Sequence, residues 1–438
     1  AIYDASGNIL AISSTAETIF LSPKEINDAL NDEENPVAWT KEVLAAALAK
    51  ILDVSEEGIL KKMARTDSMY EVLKFRVEED IADQVRQYIN DNKVKGVYLT
   101  TDAKRYYPYG DLAAQVIGFV GVDYTGLFGL EAEYDKELQG RSGLVVTAKA
   151  NQQNDLLYEY SQYFDPENGD ELQVTLEATV QYYLEKGMKD MCDAYSPANG
   201  ATGIVLDVRN GGILAMASFP NYDLNATVTD KTLLEQMERG ELDEEGAQQK
   251  QWRNKALNDT YEPGSTFKIL TLSAALEEGL IDMNTTVNCS GSVNISGHTI
   301  HCSNKAGHGL QNLEQTVGNS CNPAFISYGL KLGTEKFYQY MRSFGIMSAT
   351  GVDLGGEATG VFAADANFTQ LDLACYAFGQ NFTVTPLALI AAQAACVNGG
   401  YLYTPHFAKQ ITDSDGNVIW QHDDTPVRQV ISEETSAH

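Results

Sequence analysis

An α+β fold in two domains is predicted by three observations. Apolar residues recur at helical spacing in some stretches, as in Ile269, Leu270, Leu272, Ala275 and Leu276, and alternate as strands in others, as in LQVTL at 172–176. The length, 438 residues, exceeds what one ordinary core holds. The composition changes at Phe164-Asp165-Pro166-Glu167-Asn168-Gly169-Asp170, which places the boundary between residues 1–165 and 166–438.

In the first domain, Ser22-Pro23-Lys24-Glu25 reads as a capping box with proline at the first helical position, and Ile26, Ala29 and Leu30 continue its apolar face. Further helices are predicted at 40–52, 56–65 and 77–92, with charges such as Glu78-Glu79-Asp80 on solvated faces. The second domain opens with the strand at 172–176 and a helix from Glu177 to Asp193. GIVLDVRNGGILAMASF then sets Asn210-Gly211 between two apolar runs, a hairpin signal because both residues tolerate the positive φ of a tight primed turn. Residues 222–258, rich in acids such as Glu235, Glu238 and Asp243, read as a surface insertion.

Composition narrows the function classes. A formal charge of −30 repels a phosphate backbone, so nucleic acid is excluded as a partner. No run of eighteen apolar residues and no signal-peptide pattern occurs. His298, His301 and His308 lie near Cys289 and Cys302, but the spacings match no C-x-x-C framework; no metal and no cofactor is predicted, and His308-Gly309 reads as loop.

The chemistry centres on YEPGSTFKILTLSAALEEGL, Tyr261 to Leu280. Glu262-Pro263-Gly264 is turn-prone, so the helix begins at or just before Ser265, and Lys268 lies one turn further along the same face. A serine hydroxyl is a poor nucleophile and a solvated lysine is charged; burial would depress the lysine pKa and free its lone pair to take the serine proton. The first-turn N–H groups would stabilise negative charge developing beside Ser265. A serine cap with a surface lysine would give the same letters, so the triplet Ser320-Cys321-Asn322, fifty-five positions on, is what lends the pair weight. No G-x-S-x-G elbow surrounds Ser265, which sets a Ser-His-Asp hydrolase aside.

S-x-x-K followed by S-x-N resembles the penicillin-binding proteins and serine β-lactamases. YEPGSTFK, FGQNFTVTPLALIAAQAACVNGG (Phe378 to Gly400) and RYYPYGDLAAQVIGFVG (Arg105 to Gly121) sharpen the resemblance to class B penicillin-binding proteins, over essentially the whole chain. The resemblance implies a non-catalytic pedestal (dimerisation-type) domain over 1–165. It implies a transpeptidase domain over 166–438, an antiparallel sheet flanked by helices. It further implies that Ser265 is the acyl-accepting nucleophile, Lys268 its general base, Ser320 a proton relay to the leaving amine and Asn322 the holder of the substrate amide, with Gly379 and Gln380 binding substrate. The activity implied is peptidoglycan D,D-transpeptidation, with stem peptides as substrates, β-lactam antibiotics as ligands and a membrane glycosyltransferase as partner. Two other readings share the residues: a β-lactamase or β-lactam sensor, and a catalytically silent cell-wall scaffold.

The family's Lys-Thr-Gly or Lys-Ser-Gly strand does not occur before VRQVISEETSAH ends the chain, so the transpeptidase domain is expected to be incomplete at its C-terminus. A membrane anchor is expected ahead of AIYDASGNILAIS, which would hold the protein on the extracytoplasmic face of a bacterial membrane. In that compartment disulfides persist, and a Cys302–Cys321 bond that resembles those of sporulation-type members stands beside the alternative of packed free thiols, the reading that suits Cys375 and Cys396.

Overall fold

A computed structural model describes residues 1–141, 143–147, 161–164, 167–226, 229 and 231–438. The chain forms two compact units, Ala11–Tyr106 and Ala1–Leu10 with Tyr107–His438. The boundary expected between 165 and 166 lies outside the described residues. The division falls at Leu10 because Ile2–Tyr3 pairs in parallel with Glu171–Val174, and at Tyr106 because the residues after it bond to the later unit, the Ala113 N–H to Glu185, Gln115 to Pro220 O and the Tyr134 hydroxyl to Asp353.

In the unit Ala11–Tyr106, the strand Ile9–Leu21 pairs antiparallel with Val97–Tyr106, in register from Ile12 opposite Tyr106 to Leu21 opposite Val97, and with Glu71–Val77. Helices Pro23–Leu30, Lys41–Leu52, Glu56–Met63 and Glu79–Asn92 complete it. The first three start on hydroxyl caps: Ser22, Thr40 and Ser55 accept from the N–H groups of Glu25, Val43 and Gly58. Only half of the expected capping box is made, since the Ser22 N–H donates to Gly96 O and the Glu25 carboxylate accepts from the Tyr98 hydroxyl. Leu44, Ala45, Leu48 and Leu52 recur at helical spacing and close a core with Ile19, Leu21, Ile26 and Trp39, the last 4% exposed.

In the other unit, Glu171–Val174 lies between Ile2–Tyr3 and the antiparallel strand Ala408–Thr412, which pairs outward with Val418–Gln421. The expected hairpin joins Ala201–Leu206 to Ile213–Phe219. Its turn is wider than a two-residue primed turn: Gly211 alone of the pair has positive φ, at 83°, its N–H donates to Asp207 O, and the Asn210 side chain accepts from the Gly212 N–H. Helix Ala178–Tyr195 locks onto this hairpin through Gln181, which is buried and makes two bonds to the Met216 backbone. Over 222–258 the surface reading holds for the acids, with Glu235, Glu238 and Asp243 exposed, and fails where the stretch packs inward. Helices Glu244–Trp252 and Lys255–Asn258 bury Ala247, Gln251, Ala256 and Leu257, and Gln115 caps the Gln251 carbonyl. An apolar cluster gathers Phe267, Leu270, Phe325, Tyr328, Tyr376 and Phe382 beneath the Ser-Lys turn. Among the described residues no helix is long and apolar enough to cross a membrane.

Candidate active site

The Ser-Lys helix starts as one 3₁₀ turn, Gly264–Phe267, and continues as the α-helix Lys268–Glu277. Gly264 enters it with φ 57°, a left-handed conformation that costs a glycine little. The turn leaves Ser265 exposed and sends Lys268 inward beside Phe267, so that the lysine is 4% exposed. Lys268 Nζ lies within hydrogen-bond distance of four oxygens that share its donors, Ser265 Oγ at 3.1 Å, Ser320 Oγ at 2.9 Å, Ser320 O at 2.7 Å and Asn322 Oδ1 at 2.8 Å. It also sits 5.3 Å from the centroid of the Phe325 ring. Burial lowers its pKa to about 8, against the opposing pull of Cys302 and Cys321.

Ser320 closes the triangle. Helix Leu313–Gly318, started by a reciprocal Asn312–Gln315 capping box, ends just before it, and helix Asn322–Ser343 starts just after, with proline at its second position. Between the two, Ser320 has φ 48°, which turns its Oγ towards Ser265 Oγ at 2.9 Å. Asn322 spends its oxygen on Lys268, and its Nδ2 donates to His301 O at 3.2 Å. The four residues singled out by sequence therefore converge on one point.

Gly379 and Gln380 border that turn. Gly264 N donates to Gly379 O at 2.8 Å, and a Cβ built on Gly379 would come within 1.9 Å of Gly264 O, so only glycine allows this approach. Gln380 is exposed beside it. Gln393, which no sequence signal marked, donates from Nε2 to Thr266 O at 2.7 Å and fixes the far side of the turn.

Of the two readings of Cys302 and Cys321, a bond or packed thiols, the structure holds free thiols, as at the other four cysteines. Cys302 and Cys321 converge with Cys289 and His308, the four ligand atoms all lying within 4.8 Å of one another, and Cys302 Sγ is 3.6 Å from His308 Nδ1. Cys289 and Cys302 end up together because Thr286–Cys289 pairs with Gly309–Asn312 and the Cys302 N–H donates to Gly291 O. Burial pushes the Cys321 thiol up to about 11; at Cys302 burial also acts upwards, but hydrogen bonds from the backbone of Asn304 and Asn322 and the side chains of Ser303 and Cys289 together lower the pKa below the usual thiol value. Three sulfurs and one imidazole are a donor set suited to a thiophilic divalent ion such as zinc. His308 lies in the loop ahead of Gly309–Asn312, as read, and its ring joins this set, whereas His298 and His301 stand exposed on the hairpin Ser292–Ile295/His298–His301.

Residues 201–438 match the family described as penicillin binding protein transpeptidase domain, and residues 1–174 match the penicillin-binding protein dimerisation domain. Stage V sporulation protein D of Bacillus subtilis (strain 168) is 34% identical, over 99% of this chain and 63% of its own length. Peptidoglycan D,D-transpeptidase FtsI of Escherichia coli (strain K12) is 26% identical, over 92% of this chain and 63% of its own. The chain thus spans less than two thirds of these relatives. The crystal structure of a peptidoglycan synthetase from Bifidobacterium adolescentis ATCC 15703 covers 100% of this chain and 78% of that one at 26% identity, with TM-score 0.71. Penicillin Binding Protein 2X from Streptococcus thermophilus covers 100% of this chain and 63% of its own at 22% identity and TM-score 0.76, a likeness of fold.

Proposed function

Since the chain belongs to the class B penicillin-binding proteins, with a dimerisation domain followed by a transpeptidase domain, we propose that it cross-links peptidoglycan stem peptides by serine acyl transfer. The observation that carries this reading is the buried Lys268 amine within 3.1 Å of Ser265 Oγ and 2.9 Å of Ser320 Oγ.

The neutral amine takes the Ser265 proton as Oγ attacks the carbonyl of the penultimate D-alanine, and the N–H groups of the 3₁₀ turn face the negative charge that develops. Ser320, bonded to both partners, passes a proton to the departing D-alanine amine; the C–N bond breaks and an ester to Ser265 remains. An amine of a neighbouring stem peptide then attacks the ester, its proton returns through the same relay, and Ser265 is released. Asn322 holds the lysine with its oxygen, gives one Nδ2 hydrogen to His301 O and has the other to offer a substrate carbonyl. A β-lactam enters the same path because its strained amide mimics the donor. A membrane glycosyltransferase partner and an extracytoplasmic place, both expected from the family, fit such a substrate.

Mass spectrometry after penicillin treatment tests the reading. A covalent adduct on the Ser265 peptide is expected, and Ser265→Ala should abolish it; an adduct elsewhere, or one that survives the substitution, refutes the assignment.

A further inference from the structure

We propose that Glu262 is a positioning residue for acyl transfer, pinning the loop Gly379-Gln380-Asn381 to the turn that carries Ser265. The inference rests on the acyl-transfer reading and adds to it a residue outside the Ser-Lys-Ser-Asn group. Glu262 Oε1 accepts from the Asn381 N–H at 3.0 Å. Asn381 has φ 70°, a left-handed conformation that asparagine adopts more readily than other residues with a side chain. Its Nδ2 donates to Asp372 Oδ1 at 3.1 Å, while Asp372 Oδ2 accepts from Thr369 N at 2.9 Å and Thr369 Oγ1 at 2.6 Å, at the start of helix Gln370–Tyr376. A line of bonds thus runs from the residue three before the nucleophile to the N-terminus of another helix.

Two main-chain ties flank this pin. Gly264 N donates to Gly379 O at 2.8 Å, and Tyr261 and Val384 exchange a reciprocal pair at 3.0 Å each way. Between those ties the Gln380 N–H donates to Cys375 O at 3.1 Å and Thr383 exchanges a pair with Val361 at 3.1 Å each way, and the Glu262 bond holds Asn381 between these two points. Glu262 and Asn381 are both exposed, so neither is there to fill a core, and surface positions of this kind contribute little to stability. An oxygen accepting the Asn381 N–H at 3.0 Å, charged or not, is enough to hold one residue of a short loop. Gln380, the exposed residue next to the pinned amide, is set at a fixed distance from Ser265, so a substrate backbone lying along this loop meets the nucleophile in one register. Misplacement by even 1 Å costs rate rather than affinity.

The test separates binding from chemistry in the full chain. Acylation by a fluorescent penicillin is followed at increasing concentration, giving an apparent dissociation constant and a limiting acylation rate for wild type, Glu262→Ala and Glu262→Gln, with melting temperature alongside. Glu262→Ala should lower the limiting rate about tenfold with the dissociation constant and melting temperature unchanged, and Glu262→Gln, whose amide oxygen still accepts the Asn381 N–H, should recover to within about twofold of wild type. A wild-type rate in Glu262→Ala overturns the inference. So does a glutamine variant as slow as the alanine variant, which would make charge and not the bond responsible, or a loss confined to the dissociation constant. If wild type itself gains no adduct on Ser265, the acyl-transfer reading falls and this inference with it; if it does, and Glu262→Ala is unaffected, only the pin falls.

Discussion

Lys268 is the residue whose environment has the most direct kinetic consequence. Burial holds its pKa down to about 8, and only the neutral amine can accept the Ser265 proton. The penicillin acylation rate should therefore rise about tenfold per pH unit below 8 and level off above it, the order expected for a single titrating base. Lys268→Arg, which cannot deprotonate, should lose the rise together with most of the rate; a wild-type profile flat from pH 6 to 9 would remove lysine from the role of base. At Gly379 the constraint is steric, since a methyl group would stand 1.9 Å from Gly264 O. Gly379→Ala should thus cut acylation on the order of 10²-fold by displacing the nucleophile turn, while an unchanged rate would show that the turn yields freely. Ser265 and Lys268 were legible in the sequence because a helix makes three-residue spacing a contact. Gln393 was not, since its amide reaches Thr266 from another helix and nothing local marks it.

Among the elements, the strand Thr286–Cys289, the loop after His301 and the start of helix Asn322–Ser343 bring four soft donors together. The spacings hid this, because Cys289, Cys302, His308 and Cys321 are thirteen, six and thirteen positions apart, and only the pairing of Thr286–Cys289 with Gly309–Asn312 folds those intervals back. A stoichiometric addition of zinc to the reduced, metal-free protein should raise its melting temperature, as any ligand selective for the folded state does, and Cys289→Ser should abolish most of the gain. A melting temperature indifferent to zinc would leave the four as packed side chains. Cys321 lies between Ser320 and Asn322, so an ion held there would also steady the S-x-N triplet. The helices were the better-read elements: Lys41–Leu52, Glu56–Met63 and Glu79–Asn92 fall within the predicted 40–52, 56–65 and 77–92. The capping box at Ser22 and the turn at Asn210 came out differently because tertiary partners, Gly96 and Tyr98 in one case and the wider Asp207 loop in the other, took the bonds that local chemistry had offered.

For the whole molecule, 61 acidic side chains against 31 basic ones make self-repulsion a general strain on the folded state. Raising ionic strength from about 0.01 M to about 0.15 M shortens the screening length from roughly 30 Å to roughly 8 Å, so the melting temperature should rise over that range; a fall would mean that attractive pairs such as Lys336–Glu278 outweigh the net charge. Two-domain organisation was readable from length and composition, yet the compact division was not, because the strand Ile2–Tyr3 and the side chains of Gln115 and Tyr134 find their partners far along the chain, at Glu171–Val174, Pro220 and Asp353. The buried Trp39 gives that division an optical use. It is the single tryptophan within residues 11–106, the others being Trp252 and Trp420. With those two replaced by phenylalanine, the emission maximum becomes a private signal of the smaller unit: blue while the indole is enclosed, red once it is wetted, and silent about whatever happens around Ser265.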